Sequence, residues 1–168
     1  MSADDNAPVT IRPVTIDDLD VLIDIYFDTT IHHASIDPDW FHVPARDDVA
    51  ARLRHRIDGR GETGEYVAAM LDGRMVGSAT IFLEDLPHPG SMMRPIPTAE
   101  FGVSVVDGYR GRGIGRALIA SVETWAADHG VKRVILNVAE ANVDAIRLYH
   151  ALGYRDYDRA MRKAILPR

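Results

Sequence analysis

The chain of 168 residues contains no cysteine, which excludes disulfides, a thiolate nucleophile and cysteine-ligated zinc. It has no surplus of cations either. Nineteen Lys and Arg stand against 25 Asp and Glu, a formal net charge of −6, so broad affinity for a phosphate backbone is not expected and nucleic acid is no expected partner. No apolar run approaches the roughly 18 residues that cross a bilayer, and no membrane partner is expected. Met1 to Pro8 lack the basic start and apolar core of a signal peptide. The expectations are a flexible N-terminal stretch, 1–8, one domain over 9–168, and a cytoplasmic location, which the missing disulfides fit. What is present is ordinary for a globular domain: 46% apolar and 26% charged residues.

Local patterning predicts a mixed α/β chain. Val9 to Arg12 reads as a strand that Pro13 ends, and Thr15, Asp17 and Asp18 offer helix-start chemistry. Leu19, Leu22, Ile23, Tyr26 and Phe27 recur at helical spacing, and His32 to Pro44 reads as a loop. A second helical pattern covers Asp47 to Ile57. Tyr66 to Leu71 and Met75 to Leu83 flank Asp72-Gly73-Arg74, a strong hairpin signal. Four prolines between Leu86 and Pro97 forbid a central strand there. Glu100 to Val106 is strand-like, Gly113 to His129 amphipathic, Arg133 to Val138 a buried strand type, Asn142 to Leu152 a short helix and Tyr154 to Ile165 a closing strand region.

The segment Asp107-Gly108-Tyr109-Arg110-Gly111-Arg112-Gly113-Ile114-Gly115-Arg116 carries the chemistry. It stands where a strand gives way to a helix, and three arginines there face one aspartate. Unpaired N–H groups and the macrodipole at a helix start attract anions. Gly111, Gly113 and Gly115 carry no Cβ to keep a diphosphate from those amides, while Arg110, Arg112 and Arg116 can add charge-assisted bonds. A Walker-type loop is excluded, because Gly113 is followed by Ile114 and Gly115 rather than lysine and a hydroxyl. A dinucleotide fingerprint starting at Gly111 fails at Arg116, where glycine or alanine is required.

Arg110, Gly113 and Gly115 fill the pattern [RQ]-x-x-G-x-[GA], and the segment resembles the pyrophosphate signature of the GNAT superfamily of N-acetyltransferases. Asn142, Ala145, Tyr149, Gly153 and Tyr154 resemble that family's second signature. The resemblance is strong from Glu100 to Tyr154. It implies a mixed, mostly antiparallel central sheet flanked by helices, acetyl-coenzyme A as co-substrate, no metal, and direct transfer of an acetyl group to an amine in a ternary complex. It further implies main-chain contacts of the pantetheine at Val105 and Val103, where the strand splays from the next, and a contact of Asn142 with the pantetheine. Tyr149 would give a proton to the coenzyme's sulfur. Asn142 and Tyr149 are seven apart, so one helix face can present both. An N-cap role for Asn142 and a packing role for Tyr149 are the alternatives.

By the same resemblance Glu100 is the implied base, acting through water; His32, His33 and His88 are substitutes on grounds of imidazole pKa. His32 and His33 lack the spacing of a metal site. The acceptor, a small-molecule or peptide amine, is expected between the loops at 32–44 and 86–97 and the closing region. Trp40, Phe41 and Met92 offer apolar packing there, and Asp37, Asp39, Glu84 and Asp85 negative charge. A homodimer is a family-level expectation. Two other readings compete: a sensor that holds coenzyme A without turnover, and an enzyme that uses a longer acyl chain.

Overall fold

Asp72 and Gly73 both adopt positive φ, 50° and 74°, the conformation a two-residue turn between twisted strands requires. The chain reverses there, and β2 (Gly64–Leu71) pairs antiparallel with β3 (Arg74–Leu83). This hairpin is the middle of a five-stranded sheet in the computed structural model, which describes residues 8–61 and 63–163. β1 (Thr10–Pro13) adds antiparallel to β2, β4 (Thr98–Val105) antiparallel to β3, and β5 (Arg133–Ile135) parallel to β4. The sheet is mixed and mostly antiparallel, as expected. Residues 1–7, and with them most of the expected flexible stretch, lie outside the described residues.

Alternation along β2 and β3 gives the sheet two apolar faces. On one face Tyr66 and Ala68 join Leu19, Leu22 and Ile23 of α1 (Leu19–Ile36) and Val49, Leu53 and Ile57 of α2 (Arg46–Asp58) in one buried cluster. α3 (Ile114–Asp128) buries Ile114, Leu118, Ile119, Val122 and Ala126, and packs on the other face. Gly77 shows how close that packing is: a Cβ there would stand 2.7 Å from the Ser104 carbonyl oxygen and 3.2 Å from Leu118. Before α1, Asp18 closes the entry. Its carboxylate accepts from both terminal nitrogens of Arg12, at 2.8 and 2.7 Å, and from the Thr15 amide at 2.8 Å. The Arg12 guanidinium holds the Asp18 carboxyl at about 2, well below its ordinary value.

Three boundaries differ from the sequence expectation. α1 continues through His32 and His33 to Ile36. Its polar last turns bond back on the helix, Thr30 Oγ1 donating to Tyr26 O and His33 Nδ1 to Thr29 O, both at 2.8 Å, and the His33 ring meets Phe41 at a tilt of 60°. β5 is three residues rather than the expected Arg133 to Val138, because its pairing with β4 runs only from Thr98↔Arg133 to Glu100↔Ile135. The expected closing strand is not formed over residues 154–163, which lie in no strand and of which 155–163 are exposed; 164 and 165 lie outside the described residues.

The chain divides into two compact units, Met1–Asn137 and Val138–Arg168. The sheet and α1 to α3 belong to the first. In the second, α4 (Val143–Ala151) starts at Asn142, whose Oδ1 accepts from the Ala145 amide, and ends at Gly153, whose φ of 93° stops the helix. Among the described residues no helix is long and apolar enough to cross a membrane.

Candidate functional site

β4 runs into a turn in which Gly108, Gly111 and Gly113 take φ of 80°, 77° and 80°. L side chains are disfavoured at such φ, so the glycines set the path that brings the chain onto the axis of α3. Gly113 is the N-cap, and its carbonyl accepts the first helical bond, from Ala117. The amides of Ile114, Gly115 and Arg116 therefore have no acceptor inside α3 and end the positive pole of its dipole. Gly111, Arg112, Gly113 and Arg116 are exposed, Gly115 half-buried.

The three arginines of this turn are not equivalent. Arg116 stands on the exposed face of the first helical turn, and Arg112 lies over the Tyr109 ring at 5.5 Å. Arg110 is already engaged. Its Nε donates to Val105 O at 3.2 Å, while its terminal nitrogens lie 3.9 Å from Asp28 and 3.8 Å from Asp107. Asp28, on α1, also accepts from the Asp107 amide. It was not legible in the sequence, since 79 residues separate it from Asp107.

The ladder between β4 and β5 stops short of the turn. Pairing with β5 ends at Glu100↔Ile135, yet β4 extends to Val105. Thr98 O bonds Glu84 N and Val106 N bonds Val76 O, both toward β3. Peptide groups alternate along a strand, so those of Val103 and Val105 point to the β5 side, beyond the last paired residue. Both valines are half-buried.

Glu100 lies opposite Phe82 in the β3–β4 register, and the same parity carries Gly102 opposite Thr80 and Ser104 opposite Ser78. Ser78 in turn pairs with Ala68, so Glu100 is on the face covered by α1 and α2. Asn137 Nδ2 donates to Glu100 Oε1 at 2.7 Å. Arg56 of α2 lies over the Phe82 ring at 5.7 Å, and burial lowers its pKa, with Glu100 among the charges that pull the other way. Tyr66 completes the group: burial raises its pKa against a hydrogen bond with Ser78. Arg56, Tyr66 and Asn137 were missed from sequence. Their only signal was a polar residue on an otherwise apolar strand or helix face, which many surfaces share.

In the second unit, burial raises the Tyr149 pKa above the ordinary phenol value, so the hydroxyl holds its proton at neutral pH. Its ring meets Tyr154 edge-on at 5.9 Å. Asn142 is the N-cap of the same helix, as one of its two readings required. His32 and His33 stand on the last turns of α1, and His88 is exposed in the proline-rich loop. Trp40 and Met92 are exposed. Among the described residues no group of three or more His, Asp or Glu is placed to hold a metal ion.

Comparison with known proteins gives a consistent picture. The model of the Acetyltransferase (GNAT) family matches residues 25–154. An aminoglycoside N(6')-acetyltransferase of Stenotrophomonas maltophilia is 28% identical over 118 residues, which cover 70% of this chain and 76% of that protein. A mycothiol acetyltransferase of an Arthrobacter species is 30% identical over 113 residues, 67% of this chain but 33% of that protein. Among solved structures, a mutant of the BH1408 protein of Bacillus halodurans superposes with a TM-score of 0.85 at 21% identity, covering 94% of this chain and 99% of that one. An aminoglycoside N-acetyltransferase in complex with coenzyme A gives a TM-score of 0.69 at 19% identity, covering 98% and 99%. At these identities the structural likeness speaks for the fold.

Proposed function

From membership of the GNAT acetyltransferase family, to which this chain belongs, we propose that it is an acetyl-coenzyme A-dependent N-acetyltransferase acting on a primary amine of a small molecule. The turn between β4 and α3 supports this most. Three positive-φ glycines lead to helix amides without an intrahelical acceptor, and two exposed arginines flank them. A diphosphate is complementary to that arrangement, and a side chain at Gly113 would be strained. Beyond the end of its pairing with β5, the β4 main chain at Val103 suits an extended amide-bearing chain, which can pair with main-chain groups as a strand does, and at Val105 such a chain would meet a carbonyl that already accepts from Arg110. Names of relatives favour a small-molecule acceptor over a peptide one.

When bound, acetyl-coenzyme A supplies an acyl group activated as a thioester. Glu100 would take the proton that the amine loses, directly or through water, as nitrogen bonds the acyl carbon and the carbon–sulfur bond breaks. Tyr149 would return a proton to the departing sulfur, and its raised pKa keeps that proton on the phenol beforehand. With no cysteine in the chain, direct transfer needs no acyl-enzyme thioester. The match at 25–154 crosses the boundary between the two units and supports reading 9–168 as one catalytic domain.

The test is release of free coenzyme A from acetyl-coenzyme A across a panel of amines. Amine-dependent release above the hydrolytic background is expected. Binding of acetyl-coenzyme A with no release from any amine would instead favour a coenzyme-holding sensor, and release only from longer acyl-coenzymes would favour the third reading.

A further inference from the structure

The Arg56 guanidinium is an incompletely compensated charge. It is half-buried on the inner side of α2, its charged form is destabilised by burial, and it rests on the Phe82 ring. Among the described residues no carboxylate lies within 4.0 Å of it. A cation withdrawn from water is costly unless an anion meets it. The neighbouring positive charge of Arg52, one helical turn earlier, makes matters worse: it pushes the Arg56 pKa down further. Arg52 is held outward by Tyr26, its Nη1 donating to the phenol oxygen at 3.1 Å. Glu100 is near enough to be felt but its Oε1 is taken by Asn137.

Resting on the transferase reading, we infer that Arg56 binds an anionic group on the acceptor, so that the substrate is an amine that also carries a carboxylate or a phosphate. The geometry suits such a molecule. Arg56 sits over Phe82, and Phe82 faces Glu100 in the register, so an anion on Arg56 leaves the same molecule's amine on the side of the candidate base. Charge is then balanced on both sides: the acceptor anion meets Arg56, and its ammonium, before losing a proton, meets Glu100. A polycation lacking an anionic group would place positive charge against Arg56 and Arg52.

The experiment uses the full chain with acetyl-coenzyme A and matched acceptors: lysine against cadaverine, phosphoethanolamine against ethanolamine, and kanamycin as a polycation. A kcat/KM at least tenfold higher for one anionic member over its partner is expected, and which pair responds separates carboxylate from phosphate. Arg56→Gln should cut that preference about tenfold, mainly through KM, and Arg56→Lys should keep part of it. Thermal melting checks that both variants fold. Equal kcat/KM within both pairs, or a preference that survives in folded Arg56→Gln, overturns the inference and leaves the transferase reading standing. No release from any amine overturns both.

Discussion

At the scale of single residues, charge placement decides most of what can be tested. Arg110 lies between Asp28 and Asp107, at distances where partly exposed pairs contribute less than about 1 kcal/mol. Those carboxylates compete with any diphosphate for the guanidinium. Asp28→Asn should therefore raise coenzyme A affinity, by about two- to fivefold at low salt and less at high salt, as read by titration calorimetry. A fall in affinity would make Asp28 a brace for the turn. Tyr149→Phe removes a proton that burial keeps on the phenol. It should lower kcat by about tenfold or more while changing coenzyme A affinity little. An unchanged kcat with an established acceptor would leave Tyr149 a packing residue.

At the scale of elements, two glycines do different work and their alanine variants should separate. At Gly113 an added Cβ meets nothing within 4 Å, but φ is 80°. Gly113→Ala should cost about 1–2 kcal/mol of stability from the left-handed backbone alone, and should weaken coenzyme A binding by a larger factor. At Gly77 the clash is with backbone, 2.7 Å from Ser104 O, so β3 and β4 must part. Gly77→Ala should cost about 1–3 kcal/mol in urea unfolding, and its effect on coenzyme binding should follow stability. Legibility differs between elements in the same way. The Asp72-Gly73 hairpin and the glycine turn before α3 follow from neighbouring residues and were readable. The length of β5 was not: its residues suit a longer strand, and only the divergence of β4 after Glu100 ends it. His32 and His33 misled for a related reason, because polar side chains bonding to the preceding turn extend α1 beyond its apolar stripe.

At the scale of the whole molecule, stability should carry the signature of Asp18. Its carboxyl sits at about 2 when folded, below its ordinary 3.8, so it binds fewer protons in the native state. The stabilisation it contributes is present above about pH 4 and is lost as pH falls toward 2. Arg12 is 39% exposed, which screens the pair, and about 1–2 kcal/mol is the expected contribution at neutral pH. Asp18→Asn should lose that amount at pH 7 and nearly nothing at pH 2 in denaturant titrations. An equal loss at both would assign the effect to the Thr15 hydrogen bond.

The amino-acid order by itself determined the family, the hairpin, the glycine turn and the pairing of Asn142 with Tyr149 on one short helix, because each depends on residues within a turn or two of one another. Only the tertiary structure decided which groups stand around Glu100. Arg56, Phe82 and Asn137 come from a helix, a strand and the segment after β5, far apart in sequence; strand register sets Phe82 opposite Glu100, Asn137 reaches Glu100 by a hydrogen bond, and Arg56 lies over the Phe82 ring. Side-chain patterns report which residues prefer burial. They do not report which polar groups of distant segments the fold sets side by side.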